Sequence, residues 1–173
     1  EWDLKSADHI RMEANPCGMV MGLDVASEPV RDTEGQTIES PWIVDTAAAV
    51  VSGRPVAASY PDVGVGCHID GIANPDNLAF MPEARTLLIA EDTHAHENNV
   101  LWGMDPDSRE LRRILTAPIG AEVAGLNWFP DIGGFGYLTL TIQYSDADWR
   151  GPEDPEEIRM STSGVIGPFP GPV

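Results

Sequence analysis

Leu78-Ala79-Phe80, Thr86-Leu87-Leu88-Ile89-Ala90, Val100-Leu101-Trp102-Gly103-Met104 and Glu110-Leu111-Arg112-Arg113-Ile114-Leu115-Thr116 are four strand-forming runs in close succession. Met81-Pro82-Glu83-Ala84-Arg85 separates the first two, and Asp105-Pro106-Asp107-Ser108-Arg109 the last two; both read as turns. The two middle runs are the most apolar, which predicts inner strands, and the fourth is amphipathic. Four antiparallel strands within about 40 residues make the size of one β-propeller blade.

The pattern continues downstream. Val123-Ala124-Gly125-Leu126-Asn127-Trp128-Phe129, Gly136-Tyr137-Leu138-Thr139-Leu140-Thr141-Ile142-Gln143 and Ser163-Gly164-Val165-Ile166-Gly167-Pro168-Phe169 predict a second blade, with Ser145 to Glu157 as an acidic loop inside it. Upstream, residues 9–25 read as two short strands around an Asn15-Pro16-Cys17-Gly18 turn, part of an earlier blade. Residues 26–40 are polar and read as a loop. Asp45-Thr46 before Ala47-Ala48-Ala49-Val50-Val51, with Gly53 after them, predicts one short capped helix. The expected fold is therefore all-β: a partial β-propeller of about two to three four-stranded blades with one short helix. That is fewer than the roughly four to eight blades that close a ring, so the open sheet edges call for further blades or another protein chain.

Composition narrows the function. The chain has 173 residues, 28 Asp and Glu against 10 Lys and Arg, and a formal net charge of −18. A field this negative repels nucleic-acid backbones and anionic lipid, and it suits cations. No apolar run reaches the roughly 18–20 residues of a membrane span. Gly and Pro supply 17 and 15 residues, half as much again as the usual share of about 12%. Such a content fits short strands joined by irregular loops. Cys17 and Cys67 are not in zinc-finger spacing and leave two readings open, a disulfide or two buried thiols. The sequence opens Glu1-Trp2-Asp3 with no targeting segment, as after removal of a leader or within a longer protein.

Candidate chemistry concentrates in two stretches. Asp70-Gly71-Ile72-Ala73-Asn74-Pro75-Asp76-Asn77 is followed by Glu91-Asp92-Thr93-His94-Ala95-His96-Glu97-Asn98-Asn99. Asp76 and Asn77 enter one strand, Glu91 and Asp92 leave the next, and Glu122 enters the following blade at the corresponding place. Carboxylate and amide oxygens meeting on one rim would suit Ca²⁺, which takes oxygen ligands. The plainer reading of Asp76 and Asn77 is an Asx-turn. His94 and His96 would point the same way in an extended segment, as imidazoles on iron, zinc or copper do, or else belong to a solvated loop. Asp105, Asp107 and Glu110 imitate the start of a calcium loop but lack its glycine, so a hairpin turn is the simpler assignment. Trp128-Phe129-Pro130 reads as core and rim packing rather than a binding platform. Arg54, Arg85, Arg112 and Arg113 read as surface charges, and no Gly-x-Ser-x-Gly, P-loop, HExxH or Rossmann pattern is present.

Asp70 to Leu78, Leu88-Ile89-Ala90-Glu91-Asp92-Thr93, His96-Glu97-Asn98-Asn99, Thr116 to Gly125, Gly133 to Leu138 and Gly164 to Pro170 together resemble the C-terminal part of the PhoX family of bacterial alkaline phosphatases. Asn15-Pro16-Cys17-Gly18 matches a segment further upstream in such proteins. The resemblance spans nearly all of residues 1–173, in order, as a C-terminal segment of a β-propeller domain. It implies a secreted or periplasmic phosphomonoesterase acting on small phosphate esters, with Ca²⁺ and Fe³⁺ at the channel mouth serving as Lewis acids. It implies Asp76, Glu91 and Glu122 as metal ligands, with Asn77 and Asp92 as further ones. Family members are much longer, and the Arg-Pro-Glu motif that belongs to the upstream part of the site is absent from this sequence. Two other readings stand beside this one: a non-catalytic, calcium-stabilised propeller subunit, and a gluconolactonase-like lactonase suggested by Pro75-Asp76-Asn77.

Overall fold

The computed structural model describes residues 14–60, 65–144 and 161–171. The predicted strand over 9–13 and the acidic loop over 145–157 lie outside them. The described residues are all-β, with several separate antiparallel sheets, none of them closed among these residues.

The central sheet is the four-stranded meander read from the sequence: β1 (Pro75–Met81), β2 (Thr86–Glu91), β3 (Asn98–Met104) and β4 (Leu111–Ile119), hydrogen-bonded in that order. Its register sets Leu78 opposite Ile89, Ile89 opposite Trp102 and Trp102 opposite Arg113. The inner strands are continuously apolar because both of their faces are covered. Leu88, Ala90 and Leu101 pack toward a second sheet with Val123, Leu138 and Leu140. Ile89, Val100, Trp102 and Met104 pack the other way, against Val20, Val50, Val51 and Ile72. Alternate residues along one strand thus belong to different cores, as the two-residue period of a strand requires.

The second sheet contains β5 (Ala121–Ile132), β6 (Phe135–Tyr144) and β7 (Thr162–Pro170), with β6 in the middle. Its first hairpin turns at Gly133 and Gly134, with φ of 64° and 89°. Two successive positive φ values suit a tight hairpin turn, and glycine adopts them without a Cβ clash. On the other face of the central sheet lie β8 (Met19–Val25) paired with β9 (Val44–Ser52), while β10 (Pro55–Tyr60) pairs with β11 (Val65–Cys67).

The short helix expected over Asp45 to Gly53 is absent; the segment is strand β9. Ala49, Ala48, Ala47 and Thr46 stand opposite Met21, Gly22, Leu23 and Asp24, and Thr46 Oγ1 donates to Asp24 Oδ2 at 2.9 Å. Alanine's helix propensity is a local preference, and here strand pairing and the packing of Val50 and Val51 override it. Gly53 serves a close approach rather than a helix cap. A Cβ there would lie 2.4 Å from the Ile72 carbonyl and 2.5 Å from Cys17 Cβ.

Candidate functional site

One rim of the central sheet collects the start of β1, the end of β2, the start of β3, the end of β4 and the start of β5. Five predicted ligands lie here, and the structure divides them into two groups.

Glu91, the last residue of β2, is fully buried and faces the protein interior. Its Oε1 accepts from the Ala73 amide at 2.9 Å and from Trp102 Nε1 at 2.7 Å. Its Oε2 accepts from the Val100 amide at 3.0 Å and stands 3.0 Å from His96 Nδ1. Four donors fill the acceptor sites of one carboxylate. His96 is buried as well, and its Nε2 lies 3.4 Å from the His68 carbonyl. The same shell continues through Asn99, which accepts from the Thr93 amide and donates to the Ala121 carbonyl, both at 2.9 Å. Thr93 Oγ1 donates to Asn74 Oδ1 at 2.7 Å. Asn74 has a φ of 42°, and its amide donates to Cys17 O at 2.9 Å. Cys17 is bonded to Cys67, with Cα atoms 5.9 Å apart, and both are buried beside Ala73. Of the two readings of the cysteines, the disulfide is the one observed.

Asp76, Asp92 and Glu122 form the second group. Glu122 is buried at the start of β5, whereas Asp76 and Asp92 are exposed. Burial pushes the Glu122 carboxyl above the usual carboxylate range, and the negative charges of Asp92 and then Asp76 add to the rise. Glu122 therefore feels the charges of carboxylates that follow or begin two other strands on this rim. Glu122 Oε2 accepts from Gln143 Nε2 at 3.0 Å. Asn77 Nδ2 donates to Asp76 Oδ2, and Asn77 Oδ1 accepts from the Gly125 amide at 3.4 Å. Asn77 thus clamps Asp76 to the neighbouring sheet, which accounts for its position with no ligand required.

The donor chemistry of the second group, carboxylate oxygens alone, fits Ca²⁺. In the conformation observed, no three His, Cys, Asp or Glu side chains among the described residues stand at the spacing that holds a metal. For iron the residues do not fit: His96 is engaged by Glu91 and the His68 carbonyl, and Glu91 has its oxygens occupied. His94 and His96 also do not share a direction, because the segment after β2 is a bent loop in which His94 is exposed and His96 buried. The solvated-loop reading fails for His96.

The remaining candidates have local explanations. Asp105 Oδ1 accepts from the Asp107 and Ser108 amides at 2.8 and 3.0 Å, so the acidic 105–110 segment is a hairpin turn. Those amides, Ser108 first, hold the Asp105 carboxyl below its ordinary range. Arg85 pairs with Asp107 and Arg112 with Glu110. Arg113 lies over the Trp102 ring, 5.2 Å from its centroid. Trp102 as a donor to Glu91, and Gln143 as a donor to Glu122, were missed by sequence reasoning. Each comes from a strand paired alongside, a contact that residue type alone does not announce.

In comparison with known proteins, the chain matches no family model, no curated protein and no solved structure.

Proposed function

We propose that this chain is part of a secreted, Ca²⁺-dependent phosphomonoesterase similar to the PhoX phosphatases, built as successive blades of a β-propeller, and that Asp76, Asp92 and Glu122 bind the cation. The observation that supports this reading is that buried Glu122 starts β5 on the rim where Asp76 enters β1 and Asp92 follows β2, and senses the charge of both. Asp92 and Asp76 act on Glu122 as like charges, and a divalent cation would relieve that repulsion. Bound there, Ca²⁺ would supply positive charge to the oxygens of a phosphate ester. Asn77 positions Asp76, and Gln143 positions Glu122. Glu91 and His96 fix the loop from which Asp92 projects.

Two further points support the blade assignment. The central sheet has four strands in meander order, and sheets cover both of its faces. The open edges would take the remaining blades or a second chain. A disulfide suits an oxidising compartment, in keeping with secretion.

The test has two arms. Thermal melts of the chain should show a midpoint that rises with Ca²⁺ and stops rising in D76N and E122Q; at about 100 times Kd the gain is about 2.7 kcal/mol. Hydrolysis of p-nitrophenyl phosphate by the longer protein should be abolished by EGTA. A melt insensitive to about 10 mM Ca²⁺ removes the site, and full hydrolysis in EGTA removes the enzyme. Binding without turnover would leave the second reading, a calcium-stabilised non-catalytic subunit. The engagement of Glu91 by four internal donors favours that reading.

A further inference from the structure

The far end of the central sheet carries a groove of different chemistry. β1 runs from Pro75 at the acidic rim to Met81, where the Pro82–Arg85 turn leads into β2. Facing this turn are Trp128 of β5 and Phe169 of β7, with Gly136 of β6 between them and paired with Phe169. A Cβ on Gly136 would lie 2.3 Å from the Trp128 ring, so only glycine lets the indole lie over the middle strand. The Trp128 and Phe169 rings meet edge to face, with centroids 5.5 Å apart. Trp128 Nε1 donates to Glu83 Oε2 at 3.1 Å. The indole is therefore held on three sides, by a glycine, an aromatic edge and a carboxylate.

The resulting cavity measures about 540 Å³, with Met81, Glu83, Ala84, Trp128, Phe169 and Pro170 in its walls. That is the size range of small-ligand sites. Among the described residues its lining side chains are aromatic and aliphatic except for Glu83, with Gly171 adding backbone, and none of them is basic. An anion would meet Glu83 and a protein of net charge −18. A strongly hydrated metal ion would have to shed water against apolar walls, and a neutral ligand would cover the Glu83 carboxylate without replacing its water. A methylated ammonium meets none of these penalties. Its methyl groups would bury against Met81 and Pro170, its charge would lie beside the Trp128 and Phe169 rings, and Glu83 would supply the countercharge. We propose that this groove binds a small organic cation of the quaternary-ammonium class. The assignment departs from the reading of Trp128 as packing alone, and it does not depend on the calcium site.

The test is an NMR titration of the ¹⁵N-labelled 173-residue chain with tetramethylammonium chloride, with NaCl at equal ionic strength, and with the neutral isostere tert-butyl alcohol. The reporter is the Trp128 indole N–H signal, identified by its loss in W128F. The cation should shift it saturably, with a Kd on the order of 1 mM, and the isostere should bind at least about tenfold more weakly. E83Q should weaken cation binding by about the same factor. A shift that grows linearly to about 100 mM with either salt, or an equal response to the isostere, overturns the proposal and leaves Trp128 as packing. If E83Q fails to fold, the cation-against-isostere comparison on the unaltered chain decides alone.

Discussion

Glu91 and Glu122 stand at neighbouring strand ends of the same rim, both largely removed from water, at 0% and 8% exposure. Their surroundings differ in kind. Glu91 has four hydrogen-bond donors, two of them backbone amides, one an indole and one an imidazole. Glu122 has the Gln143 amide and two negative neighbours, Asp92 and Asp76. Burial alone therefore does not say what a carboxylate is for. A buried carboxylate whose lone pairs are all met holds the fold together, and one held among like charges is available to a cation.

The sharpest way to break this contrast is to remove the Glu91 carboxylate. Glu91→Ala strands two amides, the Trp102 indole and His96 without an acceptor in a buried site, and should cost about 3–5 kcal/mol of stability. Glu91→Gln should do little better, because its NH₂ group would face donors. Urea unfolding measures both losses. A cost below about 1 kcal/mol for Glu91→Ala would place Glu91 with the surface carboxylates and dissolve the comparison.

The disulfide comes next. Cys17 and Cys67 close a loop of sequence separation 50 and pack on Ala73, whose amide donates to Glu91. Replacing both by serine should cost about 2–5 kcal/mol, on the chain-entropy account in which the bond restricts the unfolded chain. Because the bond backs the Glu91 side, the cost should be equal in Ca²⁺ and in EGTA. A cost that differs between the two would mean that both regions of the rim form one cooperative unit.

Much of this architecture is legible in the sequence, and the misreadings have a common physical cause. The four strands of the central sheet announce themselves through apolar runs and Pro- and Asp-containing turns, all of them local signals. The placement of Asp76, Asp92 and Glu122 beside strand ends of one rim is legible because a meander returns its strand ends to the same side. Glu91 was grouped with Asp92 by adjacency, yet consecutive strand positions face opposite ways, and Glu91 shares the Trp102 side of the sheet while Asp92 is exposed. The Asp45–Gly53 segment was misread as a helix because Ala-rich propensity is local, whereas its partner β8 lies more than twenty residues earlier. Pairing and donor matching depend on what arrives from elsewhere in the chain, and no window of residues carries that.

The smallest expected effect sharpens the other half of the contrast. Folding raises the Glu122 pKa, through burial first and then through Asp92 and Asp76. The folded protein thus binds a proton that the unfolded chain has already released, and stability falls as pH rises from the unfolded pKa through the folded one. Glu122→Gln cannot ionise and escapes this decline. In EGTA the variant should match the parent at low pH and exceed it near neutrality, by less than about 1 kcal/mol, because solvent screens the exposed Asp76 and Asp92. Adding Ca²⁺ should reverse the order at neutral pH, because only the parent keeps the third carboxylate. The measurement is a set of thermal melts across pH with each protein in Ca²⁺ and in EGTA. A variant that is less stable than the parent in EGTA at neutral pH would show that Glu122 is held by its neighbours as Glu91 is, and the distinction between the two carboxylates would disappear.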